Sequence, residues 1–328
     1  MEEERENLII FPKWKDNLEE KAKTAMQENH FSEAYEYFHQ LTENGVKSHE
    51  VMTGKLICMM ELNMEEEAEE LCEELIAKRD SYFTSYVHIY ATLLFQSSKY
   101  NEVMLLIEEA LTETTIPSHI NEQLRHMYQL SEELKEQEDK QSYIEVKKQL
   151  EEAIEQGNDR KQWYMIKRLL NLEIYEDTEL YRSMLENPEI HPVVKTALLE
   201  YYQKLELERP IHIEKFQLKD KIEAEELTEV LSTAFIRGVT SCLDEVQQQD
   251  PTKFQMMQFI LERFAYVYTP FLPQEENYPL LAQSLMYYVN QSLQYINEED
   301  DRQSSIMKEH YIKMIDVSET LYGTILDV

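Results

Sequence analysis

Apolar and small residues recur along the N-terminal part of the chain at the spacing of a helix that buries one face, and the pattern itself recurs. The stretch FSEAYEYFHQL, Phe31 to Leu41, returns as EEEAEELCEEL from Glu65 and as YNEVMLLIEEA from Tyr100, with starts 34 and then 35 residues apart. Looser copies begin at Tyr143 and Asp177. Each copy carries a small or aliphatic residue (Ala34, Ala68, Val103, Val146) and, four positions on, a larger one (Phe38, Cys72, Ile107, Leu150). That spacing predicts the second helix of a helical hairpin, with the small residue letting the first helix approach.

The first helices follow from the same logic. Leu18, Ala22 and Ala25 point inward in the first hairpin, which turns at Asn29-His30; its second helix begins at an N-cap, Ser32, and ends at Glu43 before Gly45. The second reads Met52, Leu56 and Met59 inward, turns at Leu62-Asn63 and returns through Ala68, Cys72 and Leu75. The third reads Val87, Tyr90, Ala91 and Leu94, turns at Ser97-Ser98 and returns through Val103, Ile107 and Ala110.

A helical-hairpin period in the mid-thirties resembles the tetratricopeptide repeat (TPR). In family terms the small position of the first helix falls on Ala22, Leu56 and Ala91, and that of the second on Ala34, Ala68 and Val103. The family's usual Trp and Gly are missing, and Pro117 alone approximates its terminal proline.

Beyond Pro117 the period stretches. An elongated helix with Ile120, Leu124, Met127 and Tyr128, a polar run from Glu132 to Lys140 and a fourth hairpin closed by Gly157-Asn158 absorb the excess; a fifth carries Trp163, Ile166 and Leu170, with Arg168 where the family keeps a small residue. A helix from Val193 to about Glu208 follows the prolines at 188 and 192. In residues 210–216 Ile211 and Ile213 alternate with polar neighbours after a proline, which predicts a short extended or β segment. Helix resumes from Glu223 to Val246, then from Phe254 to Tyr268 behind Asp250-Pro251, as the buried centre of its region. The TPFLP turn at 269–273 and helices Tyr278–Ile296 and Arg302–Leu321 complete the chain.

The expected architecture is all-α: a lead at 1–13, a TPR-like array at 14–208 that is clearest over 14–156, and a helical C-terminal region at 209–328. Leu8 to Phe11 in the lead are apolar enough to cap the array's open end. The whole resembles TPR-containing proteins of Gram-positive bacteria, a group that implies no activity to carry over.

Composition sharpens this picture. Five glycines and nine prolines in 328 residues favour long helices on short turns. The formal net charge of −33 disfavours nucleic acid and anionic membrane as partners, and suits a basic one. The acidic start MEEERENLII is unlike a secretory signal, and no stretch approaches a membrane span, so the expected location is cytoplasmic. Cys58, Cys72 and Cys242 have neither disulfide nor zinc spacing. Isolated glycines build no phosphate loop, the histidines are scattered, and no catalytic motif occurs. No enzyme activity, cofactor or metal is expected.

What a TPR-like array implies is a concave groove lined by the first helix of each hairpin. By register the groove positions are Asp16, Glu19, Lys23, Met26 and Gln27; then Glu50, Thr53, Ile57, Met60 and Glu61; then Ser85, His88, Thr92, Phe95 and Gln96. Met26, Ile57, Met60 and Phe95 form an apolar floor and Glu19, Glu50 and Glu61 an acidic rim. The family's carboxylate clamp for chaperone tails is absent, since its positions read Glu19, Lys23, Gly54, Ser85 and Tyr86. The leading expectation is a non-enzymatic scaffold that holds a basic, amphipathic peptide or protein segment; self-association is compatible with the composition. The alternative is a peptide-responsive regulator with the C-terminal region as output module, since only a dozen residues precede the first repeat and leave no room for a helix-turn-helix there.

Overall fold

In a computed structural model the structure describes residues 12–112, 116–205, 207, 209–230, 233–292 and 306–326. The apolar lead at Leu8 to Phe11 lies outside them. The chain divides into two compact units, Met1–Glu138 and Asp139–Val328.

The first unit is built from hairpins that follow the apolar pattern: α1 (Pro12–Gln27) with α2 (Phe31–Glu43), α3 (His49–Glu61) with α4 (Glu65–Ala77), and α5 (Phe83–Gln96) with α6 (Tyr100–Leu111). The three turns share one geometry. Asn29, Asn63 and Ser98 each take a left-handed backbone, with φ of 60, 55 and 57°, at equivalent places in the repeat. Asparagine and serine tolerate that region through local hydrogen bonding, so turn chemistry repeats along with the core. The N-cap expected at Ser32 is instead His30, two residues earlier, with no side-chain cap.

Every inward residue named for these hairpins is buried, with Tyr90 half-buried. The cores are small and local. One surrounds Ala22, Ala34 and Phe38, the next Leu56, Ala68 and Cys72, and the third Ala91, Val103 and Ile107. Alanines at the crossings admit the neighbouring backbone, which is why each hairpin closes.

The expected fourth hairpin does not form. Residues Ser118–Glu155 are a single helix, α7, 38 residues long, which runs through the polar stretch 132–140 and past the division at 138/139. That stretch contains no Gly or Pro and is rich in helix formers, so nothing in it breaks the backbone ladder.

The second unit has one continuous core. It contains the C-terminal part of α7, then α8 (Asp159–Asn171), α9 (Glu179–Glu186) and α10 (Pro192–Tyr202). The helix expected to reach Glu208 thus ends at Tyr202. An antiparallel hairpin follows, β1 (Ile211–Lys215) with β2 (Leu218–Ile222), in the register Ile213↔Asp220. Ile211 and Ile213 are buried as the alternation predicts; β2, four of its five residues exposed, left no pattern to read. The single helix expected over 223–246 is three short ones: α11 (Ala224–Val230), α12 (Ala234–Ser241) and α13 (Asp244–Gln249). Then α14 (Pro251–Tyr268) starts at Asp250, whose Oδ1 accepts from Lys253 N at 3.0 Å. It buries Met257, Ile260, Leu261 and Phe264, whereas Met256 and Phe259 face solvent. After the 269–273 turn come α15 (Tyr278–Ser292) and α16 (Ile306–Leu326). The ends expected at Ile296 and Arg302 lie outside the described residues.

The expected boundary at 208/209 falls inside this unit, because Tyr201 and Tyr202 of α10 share one core with Ile211 and Ile213. A partly buried network ties the segment down. Arg182 pairs with Asp177 at 2.6 Å and donates to the carbonyl of Pro210 at 2.7 Å, while Tyr202 donates to Asp177 at 3.1 Å.

Candidate functional site

The first helices of the repeats, α1 and α3, flank a cavity of about 540 Å³ in the first unit. Its floor is made by an absence. An ideal Cβ on Gly54 would stand 2.3 Å from Phe38 Cζ, so the glycine of α3 lets the aromatic ring of α2 lie against the helix backbone. Met26 of α1 and Ile57 of α3 complete the apolar surface. Ile57 is half-buried and belongs to none of the core clusters, whereas Met26 packs on the first core.

The mouth carries both signs of charge. Lys15, Glu19 and Lys23 come from α1, and Glu50 from the first turn of α3. Lys15 and Glu19 stand 3.6 Å apart. A hydrogen bond from its own backbone N–H holds the Glu50 carboxyl below the usual range; Ser48, His49 and Lys23 add to this against a partial desolvation. Ser48 caps α3 by accepting from Val51 N. His49 stacks on Tyr82 at 4.1 Å and meets Tyr86 edge-on at 5.2 Å, so the N-terminus of α3 ends in an aromatic ledge.

Of the positions read by register, Glu19, Lys23, Met26, Glu50, Thr53 and Ile57 line this cavity together. Gln27, Met60, Glu61, His88, Thr92, Phe95 and Gln96 do not. Met60 packs against the second core, and Phe95 against the third, edge-on to Tyr100 at 5.7 Å. Thr92 donates to its own helix at the carbonyl of His88, 2.8 Å away. Gln27, Glu61 and Gln96 are exposed at the C-terminal ends of their helices. The acidic rim is also modified: Lys15 and Lys23 offset Glu19 and Glu50 at the cavity itself.

The register missed Lys15, Phe38, Ser48, His49 and Val51, and touched Gly54 only as a position of the absent clamp. A glycine in a helix interior, surrounded by strong helix formers, was the available signal for Gly54 and its ring; Lys15 and His49 had none.

No other chemistry gathers here. Among the described residues no group of His, Cys, Asp and Glu has the arrangement of a metal site, and no helix is long and apolar enough to cross a membrane. Cys58 and Cys72 are buried and unpaired; burial pushes their thiols up to about 11 and about 12, the setting of inert core residues.

The chain is 28% identical over 287 residues to the TPR repeat-containing protein YsoA of Bacillus subtilis, covering 85% of this chain and 84% of that one. The array is TPR-like. No protein-family profile and no solved structure matches the chain. The similarity runs beyond the repeats into the second unit, since 287 aligned residues exceed the length of the first. At family level a TPR-like array is a protein–protein interaction scaffold, typically without catalysis of its own.

Proposed function

We propose that the TPR-like array holds a segment of a partner protein in the groove along α1 and α3, with an apolar side chain seated on Phe38, Met26 and Ile57. The observation that carries this reading is the cavity of about 540 Å³ where Gly54 exposes the ring of Phe38 between two first helices. Apolar pockets edged by a few polar groups are the usual anchor sites for peptides. Lys15, Lys23, Glu19 and Glu50 around the mouth then set orientation, because either charge on the segment finds an opposite partner. The net charge of −33 speeds the approach of a segment that is basic overall. The protein acts as a non-enzymatic adaptor in the cytoplasm.

A photo-reactive amino acid at Thr53, on the cavity wall, should cross-link to one partner segment in a native extract. The same group at the exposed Leu105 should not. Ile57→Glu should remove the Thr53 adduct while leaving the helical circular dichroism signal intact, because Ile57 is outside the cores. An adduct that persists in Ile57→Glu, or that forms equally at Leu105, refutes the groove reading. Met60→Glu and Phe95→Glu are poorer tests, since both side chains pack on cores and their loss weakens the fold itself.

A further inference from the structure

The second unit contains a cleft of about 510 Å³ that the groove reading leaves unused. Its apolar wall is a constructed aromatic and proline surface. Phe235 of α12 meets Tyr278 edge-to-face at 5.4 Å, 84° between the rings. Gly238 makes this possible: an ideal Cβ there would lie 2.4 Å from Tyr278 Cε2. Pro270, Leu272 and Pro273 of the TPFLP turn form the adjoining side.

The lining is also acidic. Asp220 of β2, Glu226 of α11 and Glu275 of the turn before α15 face the cleft with one cation, Lys221. The Lys221 ammonium is already held by Glu223 at 2.7 Å. Three carboxylates therefore share the cleft with an aromatic wall, and the cleft's own cation is engaged. Carboxylates against aromatic faces suit a cation with an apolar stem: the charge meets the acids and the stem or guanidinium plane lies on the rings.

We propose that this cleft receives an arginine or lysine side chain presented by a basic segment of a partner protein. The volume exceeds what one such side chain fills, so its neighbours in the segment enter as well, and the chain's net charge of −33 draws that segment in. Strand addition along β2 is a weaker use of this surface. Its exposed Lys219 and Lys221 blunt the edge against a further strand and would repel a basic one. The proposal is independent of the groove in the first unit.

The test uses the full chain and a fluorescein-labelled peptide with arginine at every third position, read by anisotropy at physiological salt. The comparison peptide carries citrulline in place of each arginine, which keeps shape and removes charge. In Asp220→Asn/Glu226→Gln/Glu275→Gln the amides keep the acceptors used by Lys221 N at 2.8 Å and Glu223 N at 3.0 Å, so the local fold is retained. The control, Glu65→Gln/Glu66→Gln/Glu67→Gln, removes the same charge from the exposed first turn of α4. The expected result is a weakening of about tenfold or more in the cleft variant alone, as for loss of charge-assisted hydrogen bonds. The citrulline peptide should bind the wild type as weakly. Equal weakening in both triple variants would assign the effect to the overall field and overturn the proposal. So would equal binding of the two peptides, or no binding of the arginine peptide to the wild type.

Discussion

Alanine in place of a glycine inside a helix ordinarily stabilises by about 1 kcal/mol. At Gly54 the sign reverses. The added methyl would stand 2.3 Å from the buried Phe38 ring, and overpacking of that kind costs ~1–3 kcal/mol. Gly54→Ala should lower the unfolding free energy measured in urea by about 1 kcal/mol net, and Phe38→Leu in the same chain should recover part of the loss, a pairing that separates ring clash from helix propensity. A second residue-scale test concerns His191, which caps α10 by accepting from Val193 N at 3.3 Å. Burial, and then the charge of Lys215, push it from 6.5 down to about 4. A depressed histidine contributes stability that is present above 6.5 and lost as pH falls through about 4. Wild-type stability should therefore fall across that window, by about 1–2 kcal/mol once solvent screening of the partly exposed ring is taken off the full shift, and His191→Asn, which can still cap, should flatten the profile. Lys215 itself shows what single residues conceal. The alternation at 211–216 puts it on the face of Ile211 and Ile213, and it is wholly buried, donating to Thr196 Oγ1, Val267 O and Thr269 O at 2.6, 3.2 and 2.6 Å. Its side was readable, but its three acceptors come from α10 and the end of α14, which no local pattern joins to β1.

At the scale of elements, hydrophobic periodicity succeeded wherever one face was buried by a sequence neighbour. The hairpins α1–α6 have that property, and their turns and inward residues follow from it. It failed where the partner was distant or absent. The polar run in α7 reads as a helix end, but continues because no residue interrupts it; β2 shows solvent on nearly every side chain and so lacks alternation. The β1–β2 turn offers a direct test. Phe216 and Gln217 both have positive φ, 53 and 65°, as a two-residue turn matched to strand twist requires. Gln217→Gly should relieve the left-handed cost and raise stability by about 1 kcal/mol in urea unfolding. Phe216→Asn should gain less, because the Phe216 ring also packs on Tyr268 at 4.7 Å.

For the whole molecule, the two units should answer perturbation differently. The first is held by three local cores in series, the second by one. Repeat arrays of the first kind open piecewise from their ends. Hydrogen exchange should therefore release the amides of α1 and α2 before those of α10 and α14. Ala22→Gly should accelerate exchange in α1 and α2 and leave the second unit unchanged; uniform acceleration everywhere would show one cooperative body instead. The sequence alone determined the all-α class, the repeat and the inward face of each of the first three hairpins, because their contacts join residues close in the chain and small–large spacing records them directly. By register it also named Glu19, Lys23, Met26, Glu50, Thr53 and Ile57, which line one cavity. Tertiary structure decided what register could not reach: that Met60 and Phe95 serve cores, that Lys15 and Lys23 offset the acids at the cavity, and that glycines 54 and 238 open space for rings from other helices. Each of these depends on residues brought together by packing between elements, and such contacts leave no period in the sequence.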